Sequence, residues 1–229
     1  TGVFMKNDKF VIFDRDGVIN IEKSYLYKIE DFEYETGVIE GLKKLKKLGY
    51  RFLIITNQAG IAKGYYTEED YLKLEKFIMD DLKNKGIEIE KTYYCPHHPE
   101  GKGIYHKECE CRKPNIGNFL KAINEFFIDV EKSFMVGDRI TDLIPAEKLG
   151  FKTVMVKTGY GMENISKLTD YGLKSLVVEN VNEFEREKIT EMGYYFLKIY
   201  LSITKDTQKL RLKNREQARK MTRSKSRQI

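Results

Sequence analysis

The 229-residue chain has no tryptophan, only four prolines, and three each of cysteine and histidine. No apolar run approaches the ~20 residues of a membrane span, and no signal-peptide pattern precedes the first strand-like segment. The expectation is a cytoplasmic protein with no membrane partner. At 41% hydrophobic and 33% charged residues, the composition is that of an ordinary, soluble, lysine-rich chain. All the cysteines and histidines lie between Cys95 and Cys111. In an intracellular chain that clustering favours a metal over a disulfide framework.

Charge is present in quantity but unevenly placed. The net charge is +6, yet Thr204 onward carries ten Lys/Arg against two Asp/Glu, leaving 31 basic against 33 acidic residues in the body. The body is therefore nearly neutral and the basicity sits in the tail. At this length one domain plus an appendage is expected: 5–188 as the body and 189–229 as a basic extension whose end is disordered. Thr1 to Phe4, ahead of Met5, read as an expression scar.

Strand and helix signals alternate along the body. Phe10–Phe13 is a short, wholly apolar run of the kind buried on both sides, and it stops at Asp14-Arg15-Asp16-Gly17. Gly37 to Gly49 has helical spacing, with Val38, Leu42, Leu45 and Leu48 on one face. Arg51–Asn57 is a second strand, and Gln58 to Tyr66 reads as a loop. Thr67 caps a helix running to about Lys85. Thr92–Tyr94 is a short strand, and Pro114 opens a helix over 115–127. Ser133–Asp138, Lys152–Val156 and Ser175–Val178 are further strands with helices between them. Alternation of this kind implies a doubly wound parallel sheet, whose carboxyl edge is where ligands bind.

Chemistry-bearing residues sit at those strand ends: Asp14 and Asp16 after the first, Thr56 and Asn57 after the second, Arg112-Lys113 before a helix, and Asp138, Arg139 and Asp142 after a later strand. Paired carboxylates, a hydroxyl and fixed cations at one edge are what phosphoryl transfer requires. In this order the chain resembles the haloacid dehalogenase (HAD) superfamily of phosphatases. The resemblance implies a Rossmann-like fold with a parallel sheet flanked by helices. Asp14 would be the nucleophile and Asp16 the general acid and base. Thr56 and Lys113 would hold phosphoryl oxygens. Mg²⁺ would be held by Asp14, the backbone carbonyl of Asp16, and Asp138, with Asp142 in support. Asn57, Arg112 and Arg139 are assigned to substrate binding.

Cys95-x-His97 and Cys109-x-Cys111 form two ligand pairs separated by eleven residues. Three thiolates and an imidazole make a structural, four-ligand Zn²⁺ set that would shape a loop too polar to hold itself. His98 could line the site, and His106 is expected to be solvated. Asp14-Arg-Asp-Gly-Val-Ile-Asn20, Thr56-Asn-Gln-Ala-Gly-Ile-Ala-Lys-Gly64, Cys95-Pro-His-His-Pro99 and Cys111-Arg-Lys-Pro114 resemble the branch of heptose 1,7-bisphosphate 7-phosphatases. Histidinol-phosphate phosphatases share the metal pairs but have a shorter link between them, so the long link favours the heptose reading.

That branch lacks a large cap, so the zinc loop and the segment after Asn20 are expected to cover the site. Arg112, Lys102 and Lys107 are candidates for a second phosphate, Arg112 being best suited by its forked guanidinium. Nucleic-acid 3′-phosphatases share the Asp-x-Asp-Gly and Thr-Asn-Gln patterns, and the basic tail could bind a nucleic-acid backbone, so they are a more distant alternative. An inactive binding module is a third. Within the extension, Tyr194–Ile203 is strand-like and 205–219 a basic helix candidate. Residues Tyr194 to Arg215 resemble a late segment of the polyphosphate kinase 2 family, but no Gly-x4-Gly-Lys loop accompanies them.

Overall fold

The computed structural model describes residues 8–184. The expected extension at 189–229, with its strand, helix and kinase-like segment, and the expected scar at 1–4 lie outside those residues.

Six strands form one parallel sheet: β1 (Phe10–Phe13), β2 (Arg51–Asn57), β3 (Ile89–Cys95), β4 (Phe134–Gly137), β5 (Lys152–Val156) and β6 (Leu176–Val178), in the order β3-β2-β1-β4-β5-β6. The order reverses between β1 and β4, which places a switch point at the end of β1. The apolar run of β1 is explained by its two partners and two faces. Val11 and Phe13 enter one core with Phe52 and Ile54, and Phe10 and Ile12 enter another with Leu53 and Ile55. A central parallel strand has no solvent face, so it needs no polar alternation.

Helices cover both faces. α1 (Val38–Lys47) and α3 (Glu68–Asn84) supply Leu42, Leu45, Leu74 and Ile78 to the first core. α4 (Gly117–Phe126) and α5 (Ile140–Lys148) supply Phe119, Ala122, Leu143 and Ala146 to the second. Two short helices, α6 (Gly161–Asn164) and α7 (Lys167–Asp170), follow β5. Thr67 caps α3 as expected: its hydroxyl accepts from the Asp70 N–H while the Asp70 carboxylate accepts from the Thr67 N–H, an arrangement worth about 1 kcal/mol.

Three local expectations change. Gln58 to Tyr66 is not a plain loop but holds a short helix, α2 (Ala59–Lys63), closed by Gly64 in the left-handed conformation (φ 76°) that ends many helices. The short strand at Thr92–Tyr94 extends over Ile89–Cys95 because its neighbour β2 is long enough to pair with all of it. The helix expected from Pro114 begins at Gly117 instead, since residues before it are tied into turns: Asn115 N–H donates to Arg112 O and Gly117 N–H to Glu110 O. Among the described residues no helix is long and apolar enough to cross a membrane.

Candidate active site

The sheet brings the strand-end residues to one edge. Asp14 continues the β1–β4 pairing one step past Phe13, its N–H donating to Val136 O at 2.9 Å, so its carboxylate emerges where the ladder stops. Lys113 reaches the same place from the loop before α4. Its Nζ lies 2.9 Å from Asp14 Oδ1 and 2.8 Å from Asp142 Oδ1, and it donates to Ile55 O at 2.6 Å. Asn57 fixes that lysine by two reciprocal bonds, donating to Lys113 O and accepting from Lys113 N–H, both 3.0 Å. The amide assigned to substrate thus spends both its groups on Lys113.

Asp138, at the end of β4, is fully buried. Its Oδ2 accepts from the Tyr160 N–H at 2.8 Å, while Oδ1 has no partner among the described residues. Asp14, Asp138 and Asp142 each place a carboxylate oxygen within 4.8 Å of the others. Burial pushes the Asp14 carboxyl up, Lys113 opposes it, and Asp142 and Asp16 add to the rise. Asp138 is raised by burial and by Asp142 and Asp14. Crowded, buried carboxylates with one unpaired oxygen fit a hard divalent cation, which would remove the repulsion that holds these groups toward their protonated forms.

Asp16 is placed differently. Burial works to raise its carboxyl, but Arg15, Asn20 and Gln58 outweigh it and hold it below the ordinary carboxylate range. Gln58 also donates to Thr56 Oγ1 at 3.0 Å, and its own orientation is set by the Tyr66 hydroxyl, which donates to Gln58 Oε1 at 2.6 Å.

Asp14, Asp16, Thr56, Asn57, Arg112, Lys113, Arg139 and Asp142 all line one pocket of about 330 Å³. Its other walls come from Glu22, Ser24, Tyr25 and Leu26, after Asn20, and from His98 in the Cys/His loop. Both segments expected to cover the site thus contribute lining residues. Of the three second-phosphate candidates, Arg112 faces this pocket while Lys102 and Lys107 do not line it. The Arg139 guanidinium lies 3.7 Å from the centre of the Tyr160 ring.

The second cluster is also assembled. Cys95, His97, Cys109 and Cys111 place their ligand atoms within 4.8 Å of one another. Their sulfurs are 3.0–3.4 Å apart and the His97 Nδ1 is 3.3 Å from Cys111 Sγ. These are free cysteines, so three thiols and an imidazole converge without a covalent link, a donor set suited to a tetrahedral metal. The loop is tied to α3 by Glu68, whose two oxygens accept from the Tyr94 and Tyr105 hydroxyls at 2.8 Å.

Sequence reasoning overlooked several residues. Gln58 stood inside a quoted motif without a role. Arg15, between two aspartates on a buried segment, has no role in the sequence reading, although a charge at such a position demands a partner. Thr158 and Tyr160 follow β5 and clasp the site, Thr158 Oγ1 donating to Gly17 O at 2.6 Å. The strand-end rule used for β1, β2 and β4 would have found them had it been extended to β5.

Known proteins resemble this chain in sequence and fold. The family model for HAD-hydrolase-like proteins matches residues 110–184. A D-glycero-beta-D-manno-heptose-1,7-bisphosphate 7-phosphatase of Pasteurella multocida is 43% identical over 170 residues, 73% of this chain and 92% of that protein. A D-glycero-alpha-D-manno-heptose-1,7-bisphosphate 7-phosphatase of Photorhabdus laumondii is 47% identical over 154 residues, 66% of this chain and 84% of that protein. The crystal structure of a D,D-heptose 1,7-bisphosphate phosphatase from B. bronchiseptica, complexed with magnesium and phosphate, superposes with a TM-score of 0.70 at 25% identity, covering 80% of this chain and 99% of that one. With relatives of this identity and coverage, this chain belongs to the D-glycero-D-manno-heptose-1,7-bisphosphate 7-phosphatase family of HAD-like hydrolases.

Proposed function

We propose that the chain is a Mg²⁺-dependent phosphatase that removes the 7-phosphate of D-glycero-D-manno-heptose 1,7-bisphosphate through an aspartyl-phosphate on Asp14. The observation that carries the reading is the convergence of Asp14, Asp138 and Lys113 at the ends of β1 and β4, opening on a pocket that also holds Asp16 and Thr56. Asp14 attacks phosphorus while Asp16, ionised in the free site, takes a proton from the monoanionic phosphate of the incoming substrate and gives it to the sugar oxygen that leaves. Asp16 then takes a proton from the water that releases phosphate. Lys113 holds Asp14 in line and offsets the negative charge that spreads over the phosphoryl oxygens, and the Thr56 hydroxyl binds one of them. Mg²⁺ would be held by Asp14, Asp138 and the backbone carbonyl of Asp16, where it would supply charge neutralisation to the transferring group.

The Cys95, His97, Cys109 and Cys111 cluster holds Zn²⁺ in this reading, as a structural ion that shapes the pocket wall rather than a catalytic one, because all four positions are filled by protein. Arg112 and Arg139 at the pocket wall receive the remainder of the sugar bisphosphate. Residues 5–188 form the phosphatase domain, 189–229 a separate basic extension, and the enzyme works in the cytoplasm on a soluble sugar phosphate.

The test is a comparison of kcat/KM on heptose 1,7-bisphosphate, histidinol phosphate and a 3′-phosphorylated oligonucleotide. The heptose bisphosphate should lead by at least about 100-fold, a margin of about 2.7 kcal/mol in transition-state binding. A lead for either other substrate overturns the substrate assignment. Asp14→Asn should reduce kcat by at least about 1,000-fold in a protein that folds normally, since it removes the nucleophile itself; wild-type-like turnover would remove Asp14 from that role.

A further inference from the structure

Arg15 is the largest fully buried side chain of the described residues, and nothing in the reaction as proposed uses it. Its Nη2 lies 2.8 and 2.9 Å from the two Asp16 oxygens, and its Nε lies 3.3 Å from Oδ1. The same Nη2 donates to Leu26 O at 3.3 Å. Behind it stands α3: the guanidinium carbon is 5.6 Å from the centre of the Tyr71 ring, and the Tyr71 hydroxyl donates to Glu75 Oε2 at 3.3 Å. Tyr71 and Glu75 are both buried. A guanidinium and a carboxyl that burial pushes up are therefore held in the interior beneath the pocket.

Burying a cation costs several kcal/mol in desolvation, and an apolar side chain would fill the same volume without that cost. A planar fork offers something an apolar group does not. It meets both oxygens of one carboxylate and so sets its plane and direction. Asp16 otherwise has Asn20 Nδ2 at 3.0 Å and Gln58 Nε2 at 3.1 Å, one on each oxygen, neither of which alone fixes the plane.

We propose that Arg15 is a positioning residue for proton transfer: its fork, backed by the Tyr71 ring of α3, fixes the direction in which Asp16 presents its carboxyl group to the leaving oxygen. The proposal rests on the phosphatase reading above. In the step concerned, an Asp14 oxygen bonds to phosphorus, the bond from phosphorus to the sugar oxygen breaks, and the Asp16 proton moves to that oxygen to give the alcohol. In the second step a water oxygen bonds to phosphorus, the bond to Asp14 breaks, and the water proton returns to Asp16.

The experiment varies the leaving group. A sugar alkoxide needs the proton, whereas p-nitrophenolate leaves as a stable anion without it. The quantity read is kcat/KM, which reports steps up to cleavage of the first phosphorus–oxygen bond. Arg15→Lys keeps the charge and loses the fork. It should lower kcat/KM on heptose bisphosphate by about 10- to 100-fold, part of the 10²–10⁴ that a general acid supplies, and change it on p-nitrophenyl phosphate by less than about 3-fold. In an Asp16→Asn background, Arg15→Lys should cost nothing further, because it acts only through Asp16. Equal losses on the two substrates, or a full additional loss in the Asp16→Asn background, overturn the proposal.

Glu75→Gln leaves the fork in place and replaces the carboxyl that accepts from the Tyr71 hydroxyl behind it. It should show the same substrate pattern at about 2- to 5-fold, and it decides the matter if Arg15→Lys does not fold. A loss that ignores the leaving group, or no loss at all, then overturns the proposal. Wild-type protein inactive on both substrates would instead sink the phosphatase reading, so the two failures are distinguishable.

Discussion

Gly159 stands so close to Asp138 that a Cβ built on it would lie 2.2 Å from Asp138 Oδ2. Its φ is +55°, and the same Cβ would meet the Gly17 Cα at 2.7 Å. Asp138 is thus clasped between two backbone segments with no space for a side chain. Gly159→Ala should displace Asp138 and strain the loop by about 1–3 kcal/mol. Thermal unfolding should show the lost stability, and a Mg²⁺ titration should show weaker binding. Unchanged Mg²⁺ affinity in this variant would mean that Asp138 does not hold the metal.

Lys113 is buried between Asp14 and Asp142. Removing it leaves two buried carboxylates without their cation. Lys113→Met should therefore cost the metal-free protein about 3–5 kcal/mol, as breaking a buried ion pair generally does. Mg²⁺ should restore part of that loss, because a divalent ion near Asp14 offsets some of the same charge. Urea unfolding with and without magnesium measures both. A loss below about 1 kcal/mol would place Lys113 outside the charge balance of the site.

Cys109→Ser removes one of four soft donors from the loop. Bound zinc should fall from about one per chain toward zero. With the loop no longer fixed, the pocket wall that carries His98 and Arg112 should loosen, so KM should rise more than kcat falls. Elemental analysis and steady-state kinetics on the same sample check this. A metal-free wild-type protein with full stability would remove the zinc assignment.

Much of this was legible in the chain because the relevant rules are local. Phe10–Phe13 announces a buried strand by composition alone, and Asp14, Thr56 and Asp138 fall at strand ends, which a parallel sheet must align on one edge. Cys95, His97, Cys109 and Cys111 stand in pairs whose spacing is itself a ligand signature. What stayed hidden depends on contacts across the fold. Asn57 carries a polar amide at the right edge, and only the three-dimensional structure reveals that Lys113 occupies both ends of it. Arg15 looks like an exposed turn residue until α3 is packed over it. The α2 helix is five residues long, Ala59–Lys63, too short for periodicity to register.

Stability should depend on pH through the same carboxylates. Asp14 is pushed up to about 7 and Asp138 to about 8, against an ordinary value of 3.8. Between that ordinary value and about 8, the folded chain keeps protons that the unfolded chain has already lost. Each rise in pH across this window therefore favours unfolding of the metal-free protein, and the penalty is complete above it. Mg²⁺ binding requires both groups ionised, so it displaces those protons and its stabilisation grows as pH rises through the same range. Melting temperatures at about pH 6 and about pH 8, in EDTA and in excess Mg²⁺, separate the two effects. The metal-free protein should melt lower at the higher pH, and the shift caused by magnesium should be larger there. Asp138→Asn, which has no charge to suppress, should weaken the metal-free dependence and leave the part that Asp14 contributes. A metal-free melting temperature that rises with pH, or a magnesium shift that shrinks, would show that these carboxylates are already ionised without the metal.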